Sequence, residues 1–228
     1  MDRPHTVLSC AMSLDGHIDD AGPERLRLSN DDDFDEIDEE RAASDAILVG
    51  AGTLRADNPR LLVRSAERRR RRASGGATEH PTKVVLTASG KLDPTARFFT
   101  TGDAAKLVYA DSGGHALAAG ALHGIPDAAV VDAGSPLDPA VVLTDLAERG
   151  VRRLLVEGGS RVHTLFLTAG LADELRIAVA PFLIGDAAAP RFVDNGAFHN
   201  GPNRPMRLAE ARSVGDMAVL RYLPAGTP

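Results

Sequence analysis

The stretch "LLVEGGSRVHTLFL", residues 154 to 167, decides the fold because it joins a strand pattern to a helix pattern. Its apolar run is typical of a buried strand that ends at Glu157. Gly158 and Gly159 let the backbone turn without a Cβ in the way. Ser160 stands where the N-cap residue of the next helix is expected. A strand, a glycine turn and a helix in this order predict one unit of a parallel sheet.

Two helices are predicted with clear start and stop signals. The first, over residues 160–169, has apolar residues at the spacing of one buried face. The second, over residues 139–149, has Asp138 at the cap position, Pro139 in the first turn and Gly150 just past the end. These signals are local, so we expect both helices to form as written.

A third helix is predicted over residues 31–44, where Ser29 or Asn30 can serve as the cap. Three aspartates in its first turn favour the positive end of the helix dipole. The acidic residues are expected to form a solvated outer face, and binding of a partner through this acid-rich surface is the alternative.

Short apolar runs between these helices read as further strands. With helices between many of them, they predict an α/β domain with a largely parallel sheet. The last two runs have no helix between them, which predicts an antiparallel edge there. The runs are 6–12, 46–50, 83–87, 106–110, 128–132, 152–157, 174–185 and 217–223.

The composition narrows the class of protein. The 228 residues suit one large domain or two small ones, and the net charge of −6 gives no general attraction to nucleic acid or anionic lipid. The single cysteine, Cys10, excludes an intrachain disulfide and a cysteine-rich zinc site. The sequence has no apolar run of bilayer length and no signal-peptide pattern at its N-terminus, so we expect a cytoplasmic protein with no metal site.

Two polar segments interrupt the alternation. Residues 67–80 carry five consecutive arginines and then two glycines, and an exposed loop is expected from about 64 to 80. This loop is either a mobile solvated insertion or a grip for a phosphorylated ligand or nucleic acid. Residues 194–207 are rich in Gly, Pro and Asn and are predicted to form a loop before the final strand.

The turn at Gly158 and Gly159 also predicts a ligand site. The free N–H groups of the next helix's first turn, together with its dipole, form an anion site without a basic side chain. Strand ends of a parallel sheet open onto the ligand crevice, so a phosphate or pyrophosphate is the expected ligand, with Glu157 beside it. The alternative is a plain strand-to-helix turn whose glutamate faces solvent. Residues 50–52, "GAG", form a second glycine-rich strand end.

Three blocks of sequence resemble the pyrimidine reductases of riboflavin biosynthesis. They are "AMSLDG" (11–16), "SDAILVGAGTLRADNPRLLVR" (44–64) and "LLVEGGSRVHTLFLTAGLADELRIAVAPFLIG" (154–185), in the family's order. The family is the reductase half of a bifunctional deaminase-reductase. The resemblance implies a dihydrofolate-reductase-like three-layer sandwich, with a mixed, mostly parallel sheet and antiparallel C-terminal strands. It also implies a single reductase domain over residues 1–228.

The resemblance further implies an activity. Family members use NADPH to reduce the ribosyl group of a ribosylaminopyrimidine 5′-phosphate to ribityl, with hydride delivered to C1 of the sugar. They are usually homodimers that join through their C-terminal strands, and neither membrane nor nucleic acid is expected as a partner. Two alternatives stay open: a paralogue that reduces dihydrofolate, a pterin or the substrate of a specialised pathway, and a non-catalytic nucleotide- or nucleic-acid-binding protein that uses the arginine run.

Site residues follow from the resemblance by position. Substrate-binding positions match Arg41, Leu61, Arg64 and Glu157. The carboxyl groups of Asp57 and Glu157 are the two candidates for a general acid, and the sequence does not choose between them. Cofactor-binding positions match Ala11, Thr53, Asp57, Gly158, Gly159, Ser160, Arg161, Val162, His163, Thr164 and Leu165.

Plainer roles remain open for several of these residues. Thr53 and Asp57 could cap the loop after their strand, and Leu61 could be a packing residue. Arg41 could form a surface ion pair with Glu36 or Asp38 on its own helix.

Three further points stay open. Asp15 could be a turn residue or could line the site. Whether the pyrimidine carries an amino or an oxo group is not decided by the sequence. The choice of NADPH over NADH depends on a cation at the 2′-phosphate, for which Arg161 and the arginine loop are both candidates.

Overall fold

The computed structural model describes residues 3–22 and 25–225. Within these ranges the chain forms nine strands and seven helices. The strands are β1 (His5–Met12), β2 (Ala46–Gly50), β3 (Thr82–Thr87), β4 (Lys106–Ala110), β5 (Ala128–Asp132), β6 (Arg153–Gly158), β7 (Glu174–Val179), β8 (Arg207–Val214) and β9 (Met217–Leu223). The helices are α1 (Asp31–Ala42), α2 (Ala51–Asp57), α3 (Ala66–Ser74), α4 (Arg97–Thr100), α5 (Ser112–Ala121), α6 (Pro139–Glu148) and α7 (Ser160–Thr168).

The strands form one sheet in the order β5-β4-β3-β2-β6-β1-β7-β9-β8. Strands β2 to β5 pair in parallel, as do β1 and β7, and each parallel pair has helical chain between its strands. Strand β9 pairs antiparallel with both β7 and β8. The predicted α/β class, with a mostly parallel sheet and antiparallel C-terminal strands, is confirmed.

The chain divides into two compact units. Of the described residues, the first unit contains 3–4 and 38–155, and the second contains 5–22, 25–37 and 156–225. The single reductase domain over residues 1–228 stays a prediction. In the part of the chain that the structure describes, no helix has both the length and the apolar character that crossing a membrane requires.

The first unit has an apolar core on its parallel strands. Ile47, Val49, Val85 and Val108 are buried there. Helices α2 and α4 contribute Leu54 and two phenylalanines, and Leu61 joins them from the segment after α2. Because these strands are buried along their whole length, their sequences are short continuous apolar runs rather than alternating ones.

The second unit combines a small apolar core with a buried ion pair. Ala178, Met217 and Val219 are among the core residues on β7 and β9. The guanidinium of Arg176 is buried and donates to Asp33 at 2.6 Å and to Glu36 at 2.9 Å. The pair joins α1 to β7 through side chains that are 140 or more positions apart in sequence.

The predicted outer acidic face of α1 is wrong in part. Asp33 and Asp38 are buried, with 0% and 2% of their surface exposed. Their charges are compensated by arginines from distant segments, which is how carboxylates are retained inside a fold. Ser29 and Asn30 were the two residues predicted as possible caps of α1. Asn30 is the cap, because its side chain accepts from the N–H of Asp33 at 2.8 Å.

The loop predicted over residues 64–80 is also wrong in part: Ala66–Ser74 form helix α3, although most residues of the segment are exposed as expected. The hydroxyl of Ser65 caps this helix by accepting from the N–H of Arg68. Arginine is a good helix former, and the guanidinium groups of Arg68, Arg69, Arg71 and Arg72 find acceptors within the first unit. Helix α6 is confirmed: Asp138 accepts from the N–H of Ala140 at 2.8 Å.

The C-terminal part of the chain differs from its prediction in two ways. Strand β7 ends at Val179 rather than at residue 185, and Pro181 follows, which has no N–H to continue a strand ladder. Strand β8 was not predicted. It lies at one end of the sheet and most of its residues are exposed, so its sequence lacks an apolar face.

Candidate active site

The turn after β6 requires glycine at two successive positions. Gly158 has φ of 83°, and Gly159 has φ of 92° with ψ of 146°. A Cβ placed on Gly158 would lie 2.2 Å from the ring of His163. A side chain at residue 158 would therefore meet both backbone strain and a direct clash.

Helix α7 begins directly after this turn. Its N-cap is Gly159, whose carbonyl accepts from the N–H groups of Val162 at 3.0 Å and His163 at 3.1 Å. The predicted cap, Ser160, is wrong: it is the first helical residue, and its hydroxyl donates to the carbonyl of Arg191. Among the described residues, no group accepts from the N–H of Ser160 or Arg161. Two backbone donors and the helix dipole are therefore available to an anion.

His163 supports this turn from inside the second unit. Its ring is buried, lies with its centroid 5.0 Å from that of Phe192, and has Nδ1 3.3 Å from the carbonyl of Phe192. Burial lowers the pKa of His163 to about 4, and hydrogen bonding to the backbone of Phe192 and of Ser9 opposes this only in part. The ring is therefore neutral at physiological pH, and its side chain packs under the turn rather than on the surface.

The other predicted cofactor residues of α7 differ in exposure. Arg161 is exposed, whereas Val162 is buried. Thr164 and Leu165 are half-buried, and the Thr164 hydroxyl donates to the carbonyl of Ser160 at 2.7 Å. Their contacts with a cofactor stay predictions.

Glu157 and Ala11 lie at strand ends of the second unit. Glu157 is the penultimate residue of β6 and Ala11 the penultimate residue of β1, and both are half-buried. Parallel strand ends carry the ligand-facing positions of α/β sheets, which is where both residues were expected.

Asp15 acts as a turn residue. Its carboxylate accepts from the Ser13 hydroxyl at 2.5 Å and from the N–H groups of Ile184 at 3.1 Å and Gly185 at 2.7 Å. The Ser13 hydroxyl, followed by these backbone donors, holds the pKa of Asp15 well below its usual range. The carboxylate therefore ties the loop after β1 to the loop after β7, which favours the structural interpretation of this residue.

In the first unit, Thr53 and Asp57 lie one turn apart on α2 and are both half-buried. Asn58 caps the C-terminus of α2. Its backbone is left-handed, its N–H donates to the carbonyl of Leu54, and its side chain accepts from the N–H of Arg97 at 2.7 Å. The two predicted cofactor residues therefore lie on a short helix that is fixed at its C-terminal end.

The structure brings together the three substrate residues predicted in this unit. The Arg41 guanidinium lies 3.4 Å from the carbonyl of Leu62, which places it beside the segment that contains Leu61 and Arg64. Leu61 has φ of 49°, a strained value for leucine, and its side chain belongs to the core. The packing interpretation of the Leu61 side chain is therefore favoured, while the side chain of Arg64 is 58% exposed.

Asp38 is a residue that the sequence interpretation missed. Its buried carboxylate accepts from the N–H groups of Arg64 at 2.5 Å and Ser65 at 2.9 Å, and from the Arg68 guanidinium at 3.2 Å. It therefore positions Arg64 from the neighbouring helix. The signal available in the sequence is the four-residue spacing of Phe34, Asp38 and Ala42, which places them on one face of α1.

The carboxylates of Glu36 and Asp38, which were possible ion-pair partners of Arg41, accept hydrogen bonds from other groups. Glu36 accepts from Arg176 and Arg212, and these arginines hold the pKa of Glu36 below its usual value, with Arg212 the larger cause. Asp38 accepts from the segment after Leu62. Both carboxylates accept from other groups as well, and the role of Arg41 stays a prediction.

Comparison with known proteins identifies the family. The model of the RibD C-terminal domain matches residues 4–220. The chain is 35% identical to the 2,5-diamino-6-ribosylamino-4(3H)-pyrimidinone 5′-phosphate reductase of Archaeoglobus fulgidus, over 86% of this chain and 89% of that protein. It is 30% identical to the reductase of the same name from Methanothermobacter thermautotrophicus, over 98% of this chain and 100% of that protein.

Solved structures share the fold at lower identity. A pyrimidine reductase-like protein from Corynebacterium diphtheriae matches with a TM-score of 0.78 and 21% identity, over 98% of this chain and 93% of the other. RibD of Acinetobacter baumannii matches with a TM-score of 0.77 and 23% identity over 98% of this chain, which spans 58% of the RibD chain. The predicted dihydrofolate-reductase-like fold is confirmed, and the chain belongs to the RibD C-terminal domain family.

Proposed function

We propose that this protein is an NADPH-dependent reductase that converts the ribosyl group of a ribosylaminopyrimidine 5′-phosphate to ribityl. The observation that carries the proposal is the end of β6, where Glu157 is followed by two left-handed glycines and the open N-terminus of α7. The names of the two relatives matched along most of their length support the same activity. Because both are named for the diamino pyrimidinone, we propose the diamino compound as the substrate.

The cofactor fits the residues at this turn. A diphosphate needs several donors and close approach of the backbone, and the N–H groups of Ser160 and Arg161 next to Gly159 supply both. When bound, NADPH supplies the hydride. The residues of the chain bind and orient it, since holding two reactants in the correct geometry lowers the barrier to hydride transfer.

The substrate assignments rest on charge and hydrogen-bonding type. Arg41 and Arg64 lie close together in the first unit, and planar guanidinium groups bind phosphate oxygens in a bidentate way. Glu157 can accept from amino groups of the pyrimidine or from sugar hydroxyls. Asp57 and Glu157 are the carboxyl groups among the assigned residues, so any proton transfer is assigned to one of them.

The activity test measures loss of reduced-nicotinamide absorbance with three substrates in parallel. These are the diamino pyrimidinone phosphate, its deaminated oxo counterpart and dihydrofolate. We expect the fastest turnover with the diamino compound. Turnover of dihydrofolate alone would replace the proposal with the pterin-reducing alternative, and no turnover of any of the three by folded protein would refute it.

We also propose a homodimer that joins through the C-terminal strands. Strand β7 has neighbours on both sides in the sheet, whereas β8 lies at its end and exposes 49% of Leu208. An exposed edge strand is a site for pairing with another chain. Analytical ultracentrifugation should give a dimer for the native protein and a shift towards monomer for Leu208→Asp. A monomeric native protein at micromolar concentration would contradict this proposal.

A further inference from the structure

Residues 62–65 lie between α2 and α3 and belong to no strand or helix. Their three peptide groups present three carbonyls and three N–H groups, which need partners because Val63 among them is buried. All six groups are bonded to side chains of the first unit, from α1, α3 and His80. The position of this segment is therefore set by side chains rather than by a strand ladder.

Asp38 and Arg69, called the clamp here, make four of these six bonds. Asp38 accepts from the N–H groups of Arg64 at 2.5 Å and Ser65 at 2.9 Å. The Arg69 guanidinium donates to the carbonyls of Val63 at 3.1 Å and Arg64 at 2.6 Å. The peptide groups on both sides of the Arg64 Cα atom are thus bonded to both clamp residues, which fixes the point from which the Arg64 side chain begins.

Helix α1 relates this segment to the second predicted phosphate ligand, Arg41. Arg41 lies one turn after Asp38 on α1, and its guanidinium is 3.4 Å from the carbonyl of Leu62. One helix therefore offers an acceptor and a donor to the same stretch of backbone. Because both contacts come from α1, they fix the origin of the Arg64 side chain relative to Arg41.

Packing directs the Arg64 side chain away from the core. Leu61 and Val63 are buried, whereas 58% of the Arg64 side chain is exposed. The carboxylate of Asp38 is buried under the segment, and its charge is compensated by the Arg68 guanidinium at 3.2 Å. The Nε atom of Arg64 lies 3.9 Å from Asp38, beyond hydrogen-bonding distance, so the short bond of Asp38 is to the backbone of Arg64.

We propose that Asp38 and Arg69 are positioning residues for the substrate: they hold Arg64 where it binds the 5′-phosphate together with Arg41. This inference rests on the proposed function, which assigns the phosphate to these two arginines. Two guanidinium groups grip one phosphate only when their separation and orientation match its oxygens, so fixing the backbone of Arg64 raises affinity for the phosphate. The clamp also gives the arginine run of α3 a role in substrate binding that requires no contact with the substrate.

The test compares kcat/KM for the diamino ribosylaminopyrimidinone 5′-phosphate with kcat/KM for the same compound without its phosphate. Both are measured with saturating NADPH, in single turnovers where the reaction is slow. The ratio of the two constants, called the phosphate preference here, reports the phosphate contacts, because a general loss of folded protein lowers both constants together. Arg64→Gln should lower the phosphate preference roughly ten- to a hundredfold, the usual effect of losing a charge-assisted bond. Asp38→Asn and Arg69→Met should each lower it roughly tenfold, since the displaced guanidinium keeps its charge but loses its geometry.

Two variants serve as matched controls. Arg70→Met changes the next arginine of α3, which is exposed, and should keep the native phosphate preference. Asp33→Asn changes another buried carboxylate of α1, whose partner is Arg176. It should lower the temperature of thermal unfolding, as Asp38→Asn should, but leave the phosphate preference unchanged. The two aspartate variants therefore separate a loss of stability from a loss of positioning.

The outcomes distinguish this inference from the proposed function. A native phosphate preference in both clamp variants, with the preference reduced in Arg64→Gln, would overturn this inference alone. If Asp38→Asn does not fold, Arg69→Met decides the question, because the Arg69 side chain lies partly at the surface. A native preference in Arg64→Gln would overturn the assignment of the phosphate to Arg64, and the clamp role with it. Native protein that reduces neither compound would overturn the proposed function as well.

Discussion

The arginines of α3 and those at the start of α7 are used in different ways. On α3, the guanidinium of Arg72 is buried and donates to the carbonyls of Ala42, Ser44 and Thr78 at 2.6 to 2.9 Å. Arg68 and Arg71 both contact Glu39. At α7, Arg161 and Arg191 are exposed and have no partner within the described ranges. The conspicuous run of charge joins parts of the first unit to each other, whereas Arg161 is exposed in the first turn of α7, next to the open N-terminus of that helix.

The difference shows that the role of an arginine depends on whether its guanidinium already has partners in the fold. The number of arginines in a stretch of sequence does not distinguish structural residues from ligand-binding ones. A guanidinium that already donates to carboxylates or carbonyls has little left to offer a phosphate. Because Arg68, Arg69, Arg71 and Arg72 already donate in this way, the run on α3 is a poor candidate for binding nucleic acid or the 2′-phosphate of the cofactor. The following changes test this contrast, from the largest expected effect to the smallest.

Gly158→Ala should have the largest effect at the α7 site. The new Cβ would meet the His163 ring at 2.2 Å, and alanine would have to adopt a φ of 83°. We expect about 3 kcal/mol less stability in urea denaturation and loss of measurable NADPH binding. Gly120→Ala is the control, since nothing lies within 4 Å of its Cβ and it lies inside helix α5. Unchanged stability and binding in Gly158→Ala would contradict our description of the turn.

Acid should weaken the fold through His163. Its pKa is about 4 in the folded protein, below the usual 6.5, so the unfolded chain binds more protons between these values. Stability is therefore complete above pH 6.5 and falls as the pH is lowered towards 4, by up to about 3 kcal/mol. His163→Phe should show a shallower decrease between pH 7 and pH 4.5 in urea titrations. Parallel curves for the two proteins would rule out this role of the buried ring.

Arg72→Met should destabilise the first unit while leaving cofactor affinity unchanged. The substitution keeps most of the side-chain volume but removes the donors to three carbonyls, which costs about 2 to 3 kcal/mol when the acceptors stay buried. Arg70→Met, on the exposed part of α3, should stay within about 0.5 kcal/mol of the native protein. Equal stability of the two variants would show that burial of Arg72 is not what joins α3 to its neighbours.

Arg71→Gln should have the smallest effect. Its contact with Glu39 is an ion pair between two side chains that are about half exposed, and such pairs contribute about 0.5 kcal/mol. Affinity for NADPH should equal that of the native protein. A large fall in affinity would mean that the arginine run takes part in cofactor binding after all.

Local signals explain what the sequence predicted correctly. Helix α6 follows from Asp138, Pro139 and Gly150, which lie next to the element that they define. The glycine turn at Gly158 and Gly159 was predicted for the same reason, since the backbone conformation itself requires those residues. Continuous apolar runs likewise located the buried parallel strands.

The errors concern features whose partners lie far away in the sequence. Asp33 is buried because Arg176 reaches it from 143 positions away, and α3 is held by carbonyls at the end of α1. Strand β8 depends on pairing with β9 rather than on its own apolar pattern. The bond from the Ser160 hydroxyl to the carbonyl of Arg191 was not predicted, because only the fold brings these two residues together. Periodicity and spacing carry no information about such contacts.

A crystal structure of the protein with bound NADPH tests the central claim most directly. We predict that the diphosphate lies within hydrogen-bonding distance of the N–H groups of Ser160 and Arg161. An ordered dinucleotide whose diphosphate lies away from the N-terminus of α7 would contradict the account.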